Sequence, residues 1–551
     1  MRHYNQMRAG TVLLAVIAMV FAAAAPTLPA GAASERHTAA GPVRGGTLHV
    51  AYGGGFATLD PAQASATDWW LMMGTLYNGL YILDRAGQPQ LDLAAAPPII
   101  SADGRTWTFH IRKGVRFSNG LPLTANDIRF SITRTLDPHL KPVPSWGQVT
   151  DEIFQGSVNF ATGKAKSVSG IQVLDPYTIR FVLTKPVPIL PYILSESFNL
   201  VVPQAVVTKE SADQFGASPV GSGPFMLQSW GKSNRLVFVR DPHYFHSGKP
   251  YLDKLIVDTN EDSSLIALQI EKGQVMAAGI AGIVTVADLQ HASADPKYAQ
   301  YIVTAPNVLV VQLDMNVHMA PFDKLPMRQA VAMAINRDRL VRLEGGYATQ
   351  GTQLYPPAYK QYDPSLQRHP VYAYDPQRAR ALVAASGYKG QPISLMYGNS
   401  YQNLALGLQQ DLQQIGLNVT LRSLSANSLN GITASLTGHQ LSLTQWGPDY
   451  LDAYDVYSGE LSCAANAAGA VYGPPHYCDP TADAMVNKAE SLPLGAQRDA
   501  LLRAVQVRLL KAAPIVPLVC PKQLTMVSPK VGGFYFQPIF AMQYENYWLK
   551  S

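Results

Sequence analysis

The chain has 551 residues, a net charge of +5, 47% hydrophobic residues and 15% charged ones. That balance excludes an intrinsically disordered polypeptide, and the scattered lysines and arginines lack the clustered footprint of a nucleic-acid binder. A chain this long outgrows a single hydrophobic core, so more than one folded unit is expected.

In chain order, Arg2 and Arg8 precede an uncharged apolar run at 12–25 (VLLAVIAMVFAAAA), and small residues follow at 30–33 (AGAA). This is the layout of a cleavable secretory signal peptide, expected over residues 1–33. The apolar run falls short of the roughly 20 residues that span a bilayer, and Pro26 and Pro29 close it. No cysteine stands beside the cleavage region for lipid attachment, so the mature product is expected to be periplasmic. Residues 34–44 read as a disordered lead-in.

Beyond it, strand-like and helix-like stretches alternate. Residues 45–51 (GGTLHVA), 106–112 and 178–183 read as strands. Thr124, with Asp127 three residues on, is a capping-box signal for a helix reaching about Leu136. A glycine turn at 221–224 leads into a strand ending at Trp230, and a polar turn gives another at 235–240. Residues 321–343 predict one helix with Pro326 in its first turn and Gly345 beyond its end. Helices at 375–387, 402–415 and 494–512 alternate with strands at 417–421, 441–444 and 515–519. The fold class is therefore α/β.

The stretch 220–255 (VGSGPFMLQSWGKSNRLVFVRDPHYFHSGKPYLDKL) resembles the "GTGPY…W…NPDYW…PYLD" signature of the extracellular solute-binding proteins of family 5, which serve peptide and nickel ABC importers. Further segments follow the family's order: Leu59-Asp60-Pro61, residues 76–80 (LYNGL), residues 113–120 (KGVRFSNG), residues 321–323 (PFD) with Arg328-Gln329-Ala330, and residues 334–337 (AINR). The resemblance implies a two-lobed, type II "venus flytrap" binding-protein fold with an extra domain in the first lobe. Lobe I is expected over 45–75, 220–307 and 525–551, the extra domain over 76–219, and lobe II over 308–524.

It also implies a ligand site. Residues 445–450 (QWGPDY) are similar to the "W.AD" loop of peptide-binding members, whose aspartate pairs with the peptide's α-ammonium, and Asp449 falls on that aspartate. Trp446 is expected to supply an apolar wall and an N–H donor, with Tyr450 beside it. Residues 64–70 (ASATDWW) are expected as a loop lining the opposite wall, through Asp68, Trp69 and Trp70. Asp452 and Asp455 read better as solvated or helix-capping carboxylates.

The expected cargo is a short peptide or similar amine-bearing solute, with nickel or a metallophore, haem and sugars as alternatives. The expected partners are membrane permease and cytoplasmic ATPase subunits, around a monomeric binding protein with no cofactor. An exported serine hydrolase is the remote competitor. Neither a G-x-S-x-G elbow nor an H-E-x-x-H motif occurs, and the S-x-x-K at 229–232 lies inside the family's strand–turn signature. His243 and His246, or His476 near Cys478, are neighbours of the kind that twelve histidines in 551 residues make by accident, so no dedicated metal site is expected. In an oxidising compartment, Cys463 and Cys478 suggest a local disulfide across a Gly/Ala-rich loop, with Cys520 a buried thiol.

Overall fold

The computed structural model describes residues 41–550 apart from 65–66, 142–151, 232–233, 280–283, 306–307, 468–472, 536 and 540–541. The leader expected over 1–33 lies outside the described residues. No helix among them is long and apolar enough to cross a membrane.

Three larger sheets carry the architecture. The first has five strands in the order Ala277–Ala278, Thr47–Ala51, Lys254–Asp258, Arg235–Arg240 and Phe225–Trp230. Thr47–Ala51 runs parallel to Lys254–Asp258, some two hundred residues later, while the last three strands form an antiparallel meander. The glycine turn before this meander is sterically required. A Cβ on Gly221 would lie 1.9 Å from the Leu76 carbonyl oxygen, and one on Gly223 would lie 2.4 Å from the Leu76 carbonyl carbon. Asp60 of the Leu-Asp-Pro motif is also structural. It is fully buried, accepts from the Ala62 N–H, and takes both terminal nitrogens of Arg134.

The second sheet, ordered Ile99–Ile100, Thr106–His110, Thr178–Val182 and Ile171–Asp175, is antiparallel. It packs its aromatic face, Trp107, Phe109 and Phe181, against the helix Ala125–Thr135. That helix begins at the Thr124 capping box, with Asp127 accepting from the Thr124 N–H at 2.9 Å.

The third sheet has six strands in the order Ala348–Gln350, Ile515–Pro521, Val310–Met315, Leu441–Trp446, Ile393–Gly398 and Val419–Leu424. Its core buries Val311, Leu313, Leu395, Leu443 and Leu518 under the helices Leu325–Ala334 and Gln402–Gln414. The single helix expected over 321–343 is two, Leu325–Ala334 and Arg337–Leu343. Ile335 leaves helical conformation and the Asn336 side chain caps the second segment through the Arg339 N–H at 3.0 Å. Asparagine competes with helix continuation by bonding the backbone locally. A short antiparallel pair, Ile302–Ala305 with Gln523–Met526, joins chain segments on either side of this sheet. Cys463 and Cys478 form a disulfide, and Cys520 is a buried free thiol.

Candidate ligand site

The strand Leu441–Trp446 is buried over its first half and emerges at Gln445, delivering residues 447–452 beyond its carboxyl end. Binding crevices of α/β sheets lie outside such strand ends. The loop is pinned on both sides. Tyr450 is 4% exposed and packs on Tyr192 with ring centroids 5.7 Å apart, inside the core formed with Leu190, Ile193 and Leu194. Its ring therefore cements a junction rather than standing free for a ligand. Asp452 is no solvated carboxylate either. It caps the helix Ala453–Val456 through the Tyr454 N–H and takes two 2.7 Å bonds from fully buried Arg498, which also reaches Glu490 at 2.6 Å.

Asp455 corrects the sequence reading most. It is 4% exposed and sits beneath the loop, where one carboxylate oxygen accepts from Trp446 Nε1 at 2.9 Å and from the Asp449 N–H at 3.3 Å. The Trp446 N–H expected to face a ligand is thus spent on Asp455, leaving the half-buried ring as an apolar surface. Gly459 makes room for that ring, since a Cβ there would lie 2.3 Å from Trp446 Cη2.

Asp449 itself is partly exposed, and burial of its carboxyl pushes its pKa up to about 7. Burial, followed by the neighbouring Asp449 charge, also holds Asp455 well above the usual carboxylate range. Glu196 joins them from a distant part of the sequence. It is 2% exposed, precedes the turn Ser197–Asn199, and is driven up by burial and then by the charges of Asp449 and Asp455. Among the described residues no lysine or arginine forms an ion pair with any of these three carboxyls. Sequence reasoning missed Glu196 altogether, because nothing local distinguishes it from a surface glutamate.

The segment expected to form the opposite wall differs from expectation in its backbone. Residues 67–70 open the helix Thr67–Leu76 instead of forming a loop, and the side chains of Asp68, Trp69 and Trp70 lie outside the described residues. Near the end of this helix, a cavity of about 510 Å³, counting its open mouth, is lined by Gly74, Tyr77, Asn78, Ser195, Ser197 and Glu545 among others. Glu196, between the lining residues Ser195 and Ser197 in the chain, is not itself part of the lining, and neither is Asp449. Among the described residues no group of three or more His, Cys, Asp or Glu is placed to hold a metal ion.

This geometry has relatives. The Shigella dysenteriae glutathione-binding protein GsiB is 25% identical over 508 residues, covering 90% of this chain and 93% of that protein. Among solved structures, the clavulanic acid biosynthesis oligopeptide binding protein 2 superposes with a TM-score of 0.83 at 23% identity, over 92% of this chain and 96% of the other. The Helicobacter pylori periplasmic binding protein DppA, in complex with the peptide STSA, gives 0.76 at 24% identity, over 92% and 99%. These likenesses match a two-lobed α/β binding-protein fold. The family model for bacterial extracellular solute-binding proteins, family 5 (middle region), matches residues 88–468, and the chain belongs to that family.

Proposed function

We propose that this chain is the substrate-binding subunit of an ABC importer for short peptides or a similar amine-bearing solute, with Asp449 receiving the ligand's ammonium group. The observation that carries this reading is the buried carboxyl cluster at the end of strand Leu441–Trp446, which has no cationic partner among the described residues. Removing a carboxylate from water is costly unless an opposite charge meets it, and an ammonium offers charge-assisted hydrogen bonds. The Trp446 ring supplies an apolar wall beside it. A relative named for glutathione binding and a structural neighbour holding a peptide support the same cargo.

In this reading the lobes comprise 45–75, 220–307 and 525–551 on one side and 308–524 on the other, with 76–219 as the extra domain. The pair Ile302–Ala305 and Gln523–Met526 lies at the crossings and acts as the hinge. Ligand stabilises the closed arrangement only through contacts better made there. The closed form then delivers its guest, chemically unaltered, to a permease driven by a cytoplasmic ATPase. The protein works outside the cytoplasmic membrane, as a monomer. Calorimetric titration with trialanine and with its N-acetylated form tests the assignment. Trialanine binds and the acetylated peptide loses most of its affinity; equal affinities remove Asp449 from the role, and hydrolysed peptide after incubation removes the transport-only reading.

A further inference from the structure

Asp449 and Asp455 account for one cation, yet a third carboxyl closes on them. Tyr192 packs on Tyr450, which places the stretch that follows Tyr192 near the Asp449 loop. Along that stretch three buried side-chain atoms, Glu196 Oε1, Ser197 Oγ and Asn199 Oδ1, have no hydrogen-bond partner among the described residues. Ser195 and Ser197, the chain neighbours of Glu196, line the neighbouring cavity, so open space adjoins this stretch. Arg498 is already committed to Asp452 and Glu490. A buried polar atom left unpaired is costly, and native proteins keep few of them. Unpaired atoms clustered along a stretch that borders a cavity at Ser197 invite donors from outside the chain.

We propose that the site selects ligands carrying two positive charges close together, the α-ammonium on Asp449 and a second cationic group, of the lysine, ornithine or arginine side-chain type, on Glu196. This rests on the amine reading of Asp449 and narrows it. A ligand with one charge leaves the Glu196 carboxyl buried and unanswered when the lobes close. A basic first residue supplies a cation on a flexible stem of three or four carbons, and its head carries several donors for Glu196, Ser197 and Asn199. Asp449 and Asp455 raise the negative potential at Glu196, so the second cation is favoured by all three groups.

The test is a calorimetric series at neutral pH with Lys-Ala-Ala, norleucine-Ala-Ala and Glu-Ala-Ala, on wild-type protein and on the Glu196→Gln variant. Norleucine keeps the apolar stem and removes the charge. In the wild type, Lys-Ala-Ala binds at least about tenfold tighter than norleucine-Ala-Ala, and Glu-Ala-Ala binds weakest, as expected for a partly buried charge pair. In Glu196→Gln protein the lysine preference shrinks to within about threefold. The wild-type series decides the matter even if the variant folds poorly. Norleucine-Ala-Ala binding as tightly as Lys-Ala-Ala overturns the second-charge proposal alone, as does a lysine preference that survives Glu196→Gln. Failure of every free-amine peptide to bind sinks this proposal together with the amine reading of Asp449.

Discussion

Proton linkage at Asp449 offers a quantitative handle. In the ligand-free protein, burial lifts this carboxyl to about 7. A docked ammonium favours the charged form and pulls the pKa back down. The complex therefore holds fewer protons than the free protein, and binding below pH 7 releases one. Affinity is greatest just above pH 7 and falls as the solution is acidified, by about tenfold, or ~1.4 kcal/mol, per pH unit. Between pH 7, where half of the free carboxyls are already ionised, and about pH 5 the loss is about 50-fold, ~2.3 kcal/mol, provided the pKa in the complex lies well below 5. Asp455 and Glu196, both raised by burial and then by the Asp449 charge, add to the proton release if the ligand also ionises them. On the alkaline side a peptide's own α-amine loses its proton near about pH 8, so the profile is bell-shaped. Titrations in buffers of different ionisation enthalpy measure affinity and proton release together. The same carboxyl destabilises the empty fold as pH climbs from about 4 to about 7, because the native state then retains a proton that the unfolded chain has lost. The melting temperature of the empty protein falls over that range, and saturating peptide flattens the decline. A constant affinity from pH 5 to pH 7, with no proton release, refutes the reasoning.

Other perturbations are equally specific. Gly459→Ala drives a methyl into the Trp446 ring, costs about 1–3 kcal/mol as overpacking, and weakens peptide binding in the same calorimetric assay. Arg498→Met leaves Asp452 and Glu490 buried without their cation and destabilises the fold by about 3–5 kcal/mol, read as a lower urea midpoint. Replacing Cys463 and Cys478 together by serine opens a loop whose ends are 15 residues apart, lowering stability by about 3 kcal/mol in thermal unfolding.

What the sequence conveys well is whatever local sterics and capping enforce. The glycines at 221 and 223 are legible because only a hydrogen fits against the Leu76 backbone, and the Thr124–Asp127 box is legible because its bonds close within three residues. The break at Ile335-Asn336 is less visible, since apolar spacing continues across it while the Asn336 side chain restarts the helix. Asp449 was reachable through a motif, but its setting was not. Asp455 resembles any acid in the first turn of a helix until that helix folds back under Trp446. Glu196 lies more than two hundred residues before Asp449, and the two segments meet through tertiary packing such as that of Tyr192 on Tyr450. Long-range convergence of like charges has no local signature, and here it defines the chemistry of the site.

The most direct test is a crystal structure of the protein with a bound free-amine tripeptide. The ligand's amino nitrogen is expected within hydrogen-bonding distance of the Asp449 carboxylate, about 2.7–2.9 Å, with the peptide beside the Trp446 ring. A peptide seated only in the cavity lined by Tyr77 and Asn78, or one whose amino group faces solvent, contradicts the account.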